Sequence, residues 1–253
     1  MKKLLLVFPH PDDESFVSGG TAAKYVAAGW EVHLVCAGVQ QKELEAAGTI
    51  LGLSTVTFLG FKDGTLPKQG PGHLEDKVFR EMVRLVPHAV ITFEPRGINN
   101  HPDHVKLTTA ATVAFQRYVV DVRDLPQFSD LSGVRKRELG KTYQSSFEDC
   151  LALTHEPRLY FACLPQSVGR YLIRQKQLPS TTFGNPWSLV PDKLVTTVID
   201  IRRFRNKKIN ALQALGKTLM DNNPLLSSEF FMLRMSGYTE AFMGKNDRVK
   251  NRL

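Results

Sequence analysis

The chain is short of cysteine, has no long apolar run and lacks a dinucleotide-binding glycine fingerprint, and each shortage excludes a class of protein. Its three cysteines, Cys36, Cys150 and Cys163, are odd in number and far apart, which supports neither a disulfide framework nor a Cys-x-x-Cys metal knot. The expected compartment is a reducing one, the cytoplasm. No segment approaches the ~18 apolar residues of a membrane helix. The apolar start Leu4-Leu5-Leu6-Val7 is cut off by Pro9, His10 and three acids before a signal-peptide pattern develops. We therefore expect no membrane span and read the first segment as a core strand. Ser18-Gly19-Gly20 is not the Gly-x-Gly-x-x-Gly turn that admits a pyrophosphate, which argues against a nicotinamide enzyme. The net charge of +8 gathers in Arg135-Lys136-Arg137, Arg202 to Lys208 and the tail Lys245 to Arg252. These runs carry no recognition motif, so they read as solvated helix faces and no nucleic-acid partner is expected.

A hydrophobic fraction of 42% over 253 residues is enough to bury a substantial core. Strand-like runs at Leu4 to Phe8, Val32 to Cys36, Val56 to Leu59 and Val90 to Phe93 alternate with helical patterns at Phe16 to Ala28, Gln41 to Leu51, Leu74 to Val86 and Pro102 to Val119. Four βα units in succession predict an α/β, Rossmann-like fold: a mostly parallel sheet with helices on both faces. The expected organisation is one domain over 1–253, with residues 1–120 as the parallel core and 121–253 as a less regular part that completes the sheet and cleft. In that second part Leu159 to Leu164 and Leu194 to Ile201 read as strands, Phe204 to Met220 as a long basic amphipathic helix, Pro179 to Pro191 as a loop and Glu229 to Met235 as a short closing element.

Two clusters stand out, His10-Pro11-Asp12-Asp13-Glu14 and His101-Pro102-Asp103-His104, each directly after a strand-like run. In a sheet of order 3-2-1-4, strands one and four are neighbours at the reversal point, where ligands bind beyond the strand ends. Acids opening a helix account for Asp12, Asp13 and Glu14 taken alone. That reading does not explain His10, and three consecutive acids repel one another unless positive charge lies among them. His101 and His104, across a helix start, can face one cavity, and a helix N-terminus disfavours the imidazolium form, leaving nitrogen free to bind metal. Imidazole and carboxylate together suit zinc.

The Pro9 to Glu14 segment paired with His101-Pro102-Asp103-His104 resembles the PIG-L/LmbE-type zinc-dependent N-acetylglucosaminyl deacetylases. Weaker similarity runs through Leu59 to Gly64, Phe93 to Gly97 and the basic helix with Lys208 and Ala211. The resemblance implies that His10, Asp13 and His104 hold Zn2+, with Fe2+ as the alternative metal, and that Asp12 is the general base. It further implies that His101 assists the oxyanion and the leaving amine. Asp103 is expected to orient an imidazole, that of His101. The implied partner is a small N-acetylated amino sugar or glycoconjugate; oligomerisation is left open. Arg96, Asp63 and Asn99 are candidate substrate contacts, Asn99 standing where some relatives have tyrosine. The Cys36 to Gln41 loop is shorter than the family's, with Gln40 or Gln41 in place of an arginine, and a family histidine is missing from Ala211 to Gly216. Two rival readings remain: a metal-dependent phosphoesterase, which needs more carboxylates than two clusters offer, and a degenerate member binding a polyanion.

Overall fold

The computed structural model describes residues 1–124, 156–236 and 239–240. Cys150, His155, the Arg135-Lys136-Arg137 run and the Lys245 to Arg252 run lie outside the described residues. Five strands run parallel: β1 (Lys3–Phe8), β2 (Glu31–Cys36), β3 (Thr55–Phe58), β4 (Ala89–Phe93) and β5 (Arg158–Ala162), in the spatial order β3-β2-β1-β4-β5. Ser228–Ser236 then pairs antiparallel with β5, and Thr197–Asp200 pairs antiparallel with Ser228–Ser236. The chain thus reverses direction across the sheet between β1 and β4, where the two histidine clusters begin.

Alternate residues of β1 feed two different cores. Leu5 and Val7 join Val78 and Met82 of one helix and Leu107 and Phe115 of another on one face; Leu4, Leu6 and Phe8 join Ala22, Tyr25 and Leu172 on the other. Both faces are covered, so every one of these positions is apolar and the strand reads as an unbroken run rather than an alternation.

The helical pattern at Phe16 to Ala28 is two helices, α1 (Asp13–Val17) and α2 (Gly19–Ala27), not one. Ser18 divides them: its φ is −145°, and its N–H and hydroxyl both donate to the Glu14 carbonyl. Gly20 follows because a Cβ there would sit 2.5 Å from Ile201 Cδ1. Next come α3 (Lys42–Leu51) and α4 (His73–Leu85), and later the long helix Pro102–Asp124, opened by its proline.

The second half departs further from its sequence pattern. The segment expected to be a short closing element is the nine-residue strand Ser228–Ser236, between β5 and Thr197–Asp200. The helix expected over Phe204 to Met220 spans only Arg205–Ala214, and the chain turns at Gly216, φ +68°. The Pro179 to Pro191 region is not wholly irregular: Thr181–Thr182 and Asn185–Pro186 form a small hairpin, and Leu189–Val190 pairs with Leu164–Pro165. Nor is the basic run simply a solvated face. Arg202 chelates Asp200, Arg205 pairs with Asp221 at 2.7 Å, and Lys208 is fully buried. Among the described residues no helix is long and apolar enough to cross a membrane.

Lys208 and Glu229 form a buried ion pair at 2.7 Å. Glu229 also accepts from the Gly20 and Thr21 amides, at the positive end of α2, and Lys208 donates to the Phe16 carbonyl at 2.7 Å. These bonds tie α1, α2 and the helix Arg205–Ala214 to the Ser228–Ser236 strand. Glu229→Gln, which strands the buried ammonium, is expected to lower unfolding free energy by roughly 3–5 kcal/mol, with part recovered in the apolar double variant Lys208→Met/Glu229→Met. Urea denaturation measures both.

Candidate metal centre and cleft

Every residue of the two clusters named above is brought to the carboxyl ends of β1 and β4. His10 follows β1 through Pro9. His104 sits in the first turn of the Pro102–Asp124 helix, its ring stacked on Phe93 at 4.4 Å between centroids. Three side chains meet: His10 Nδ1 to His104 Nε2 is 3.1 Å, and each imidazole faces one oxygen of the same carboxylate, His10 Nδ1 to Asp13 Oδ2 at 3.4 Å and His104 Nε2 to Asp13 Oδ1 at 3.5 Å. Ligand bonds of about 2.0–2.1 Å in a tetrahedral zinc site require donor separations of about 3.3–3.4 Å. The donor set therefore has the size for such an ion.

Hydrogen bonding on the far side of each ring fixes which nitrogen faces the centre. His104 Nδ1 donates to the Gly97 carbonyl at 2.9 Å, leaving the Nε2 lone pair turned inward. His10 Nε2 meets Asp63 at 3.1 Å and Asp103 at 3.2 Å, leaving Nδ1 inward. Burial lowers the His10 pKa, but the carboxylates of Asp13, Asp103 and Asp63 outweigh it and hold the pKa up at about 9. Positive charge is stabilised at this point, as a site for a divalent cation requires. Burial moves His104 the other way, towards the neutral form that binds metal.

Asp103 does not orient His101 with its carboxylate, as the sequence led us to expect. Its oxygens accept from Gly64 N–H at 2.7 Å and Leu66 N–H at 3.1 Å and face His10. His101 is held instead by the Asp103 backbone amide, which donates to its Nδ1 at 3.1 Å, so the ring caps the helix and carries its proton on Nε2. That nitrogen points towards Asp63, 3.8 Å away. The physical reason is spacing: a side chain on the first turn reaches across to the β1 loop, whereas the amide of the same residue is the orphan donor beside the preceding residue.

Asp12 lies beside the donor set but outside it. Its φ of +151° is a strained value for a side-chain-bearing residue and turns the carboxylate to the cleft, where Oδ2 meets Lys217 Nζ at 3.0 Å. Burial and the neighbouring Asp13 push its pKa up while Lys217 opposes them. Glu14 faces away, wholly buried, with its pKa raised by burial to about 7 and Oε1 accepting from Ser15.

The centre forms the floor of a cleft of about 480 Å³. Asp63 and Asn99 line it; the Asn99 side-chain oxygen accepts from the His101 amide at 3.0 Å. Arg96 does not line it, its guanidinium reaching Asn100 Oδ1 at 3.4 Å. Gln40 bonds Glu45 at 2.7 Å in its own exposed segment.

Three contributors escaped the sequence reading. Glu94 is buried and accepts from Arg96 and Ile98 amides, building the turn that carries the second cluster. A glutamate before Pro-x-Gly at a strand end, Glu94-Pro95-Arg96-Gly97, is the signal the sequence carries for this role. Gly97 is the second, at φ +67°, where a Cβ would lie 2.3 Å from His104 Cβ. Lys217, far along the chain, had no local signal.

The sequence profile described as PIG-L: GlcNAc-PI de-N-acetylase matches residues 5–40 and 36–115. The 1D-myo-inositol 2-acetamido-2-deoxy-alpha-D-glucopyranoside deacetylase of Rhodococcus jostii is 30% identical, over 84% of this chain and 80% of that one. Among solved structures, N,N'-diacetylchitobiose deacetylase from Pyrococcus horikoshii has a TM-score of 0.56 at 17% identity, covering 93% of this chain and 84% of that one. GalB, the 4-carboxy-2-hydroxymuconate hydratase of Pseudomonas putida, has a TM-score of 0.59 at 16% identity, covering 96% and 100%. The last two share the fold alone, and one fold here carries two chemistries.

Gly97→Ala is expected to push His104 off its position and weaken binding of a divalent metal at this centre by about 10- to 100-fold, the range found when a ligand's support is removed. Competition with a chromogenic chelator reads the affinity, and unchanged circular dichroism reports that the sheet is intact.

Proposed function

The chain belongs to the PIG-L family of de-N-acetylases, and from that premise we propose that it is a zinc-dependent hydrolase that removes the acetyl group from an N-acetylated amino sugar or glycoconjugate. The observation that carries the proposal is the meeting of His10 Nδ1, Asp13 and His104 Nε2 within 3.1–3.5 Å, beside the Asp12 carboxylate, which stands outside the donor set on the cleft wall and pairs with Lys217. A water-borne attack on an amide needs a Lewis acid and a base side by side, and this arrangement supplies places for both.

His10, Asp13 and His104 would hold the metal, Zn2+ or alternatively Fe2+. When bound, it supplies a Lewis acid and lowers the pKa of a water molecule to about 7. Asp12 takes the proton of the attacking water, its strained backbone and ion pair to Lys217 keeping the carboxylate at the cleft. His101, whose Nδ1 accepts from the Asp103 amide, presents its Nε2–H to the cleft as a hydrogen-bond donor to the developing oxyanion, and the proton that Asp12 has taken from the water passes to the departing amine as the C–N bond breaks. Asp103 and the Gly97 carbonyl keep the two ligand imidazoles in the required tautomers. Asn99 offers its amide nitrogen, and Asp63, 75% exposed, its carboxylate, to sugar hydroxyls. The buried free thiols Cys36 and Cys163 suit a reducing, cytoplasmic setting.

Asp12→Ala is expected to retain one zinc per chain while amine release from N-acetylglucosaminides falls about 10²- to 10⁴-fold. His104→Ala is expected to lose the metal and the activity together. Elemental analysis and a fluorogenic amine assay measure the pair; full activity with full metal content in both variants would overturn these roles. Chelation of the wild type should abolish turnover and added zinc or ferrous ion restore it, the better of the two identifying the metal.

A further inference from the structure

Beyond the metal centre the cleft changes character. Its apolar lining comes from Leu178, Phe183 and Trp187, in the segment around the small hairpin, and from Leu219, Leu225 and Phe230, farther along the chain. The polar side chains at the far end are already engaged. Gln177 donates to Asn222 at 2.9 Å and accepts from Asn223 at 3.0 Å, while the Asn223 oxygen accepts from the Leu225 amide at 2.9 Å. Glu229 is occupied by Lys208 and two backbone amides, and Trp187 Nε1 donates to the Pro179 carbonyl at 2.9 Å. The indole therefore offers the cleft its apolar ring. No lysine or arginine lines the cleft among the described residues, and Lys217 is paired with Asp12 at 3.0 Å.

A polyol in this end would give up its bonds to water without replacement, a loss for each unpaired hydroxyl. A carboxylate or phosphate would meet no lysine or arginine among the described residues that line it. An alkyl or aryl group would lose only contact with water, and gain. Phe183 adds a geometric element: it is 57% exposed, sits at φ +49° and meets His101 edge to face at 4.7 Å, so one aromatic ring joins the catalytic end to the apolar end.

We infer that the distal cleft is a subsite for an uncharged, apolar aglycone, so that the substrate is an N-acetylated amino sugar carrying an alkyl or aryl group rather than a polyol or an organic acid. This assignment rests on the deacetylase reading and adds to it the class of the group that the amino sugar carries, which stays attached throughout the reaction.

The test is a series of N-acetylglucosaminides, in both anomers, with methyl, hexyl, phenyl, inositol and malate aglycones, assayed for amine release by the zinc-loaded protein. Each buried methylene contributes roughly fourfold, so the hexyl glycoside is expected to exceed the methyl by at least about tenfold in kcat/KM, chiefly through KM. The inositol and malate compounds are expected to be no better than methyl. Leu178→Asn/Phe183→Ser should bring the hexyl-to-methyl ratio towards one. Amine release that is equal for methyl and hexyl, or best for inositol or malate, would overturn the aglycone assignment and leave deacetylation standing. Release from none of them would overturn deacetylation. Calorimetric titration of the protein with the same glycosides then decides the subsite by itself: tighter binding of hexyl than methyl upholds it, and equal binding rejects it.

Discussion

Asp13, Asp63 and Asp103 converge on one imidazole, His10, at the edge of a sheet packed between two hydrophobic cores. Carboxylates this close repel, and only positive charge among them makes the arrangement stable. A protonated imidazole serves, the carboxylates around His10 holding its pKa up at about 9, and a divalent cation among the same carboxylates serves better because it carries two charges. The rest of the centre follows from this constraint. His104 is neutral and turned inward, Asp103 is shared between two amides and a ring, and Asp12 is left as the acid outside the donor set.

Holding such a cluster requires supports that have no chemical role. Glu94 caps the turn after β4, Gly97 lets His104 approach the backbone, and Ser18 breaks α1 from α2 so that the first cluster lies on a short separate helix. Farther out, Lys208 and Glu229 tie the same helices to the antiparallel strand Ser228–Ser236. The basic helix is thereby an internal element as well as an exposed one. Pairing of Arg202 with Asp200 just before the helix, and of Arg205 with Asp221 and Lys208 with Glu229 within it, leaves less of the basic run's charge for an external polyanion. On the opposite side of the centre the same economy of polar groups shapes the cleft: side chains that satisfy one another leave apolar surface for whatever enters.

Much of the first half was legible because its signals are local. The runs at β1, β2, β3 and β4 are short, apolar and bounded by turns, and their order in space follows from right-handed crossovers. The clusters announced themselves by being too acidic and too rich in histidine for helix caps. Reading failed where bonding is between distant segments. Ser228–Ser236 resembles a closing element until its pairing with both β5 and Thr197–Asp200 is known. Lys208 looks like one more surface cation until Glu229 is placed against it. Arg96 drew attention by its charge, yet its neighbours Glu94 and Gly97 shape the site.

The sequence by itself determined the parallel core, the edge at which chemistry would gather and the residue types gathered there, because periodicity and strand order depend on neighbours along the chain. Tertiary structure alone decided that Asp103 serves His10 rather than His101, that Lys217 meets Asp12, and that the far cleft is apolar with its polar groups spent. Those are outcomes of which side chains face one another across the fold, and no spacing along a chain encodes the direction in which a carboxylate turns.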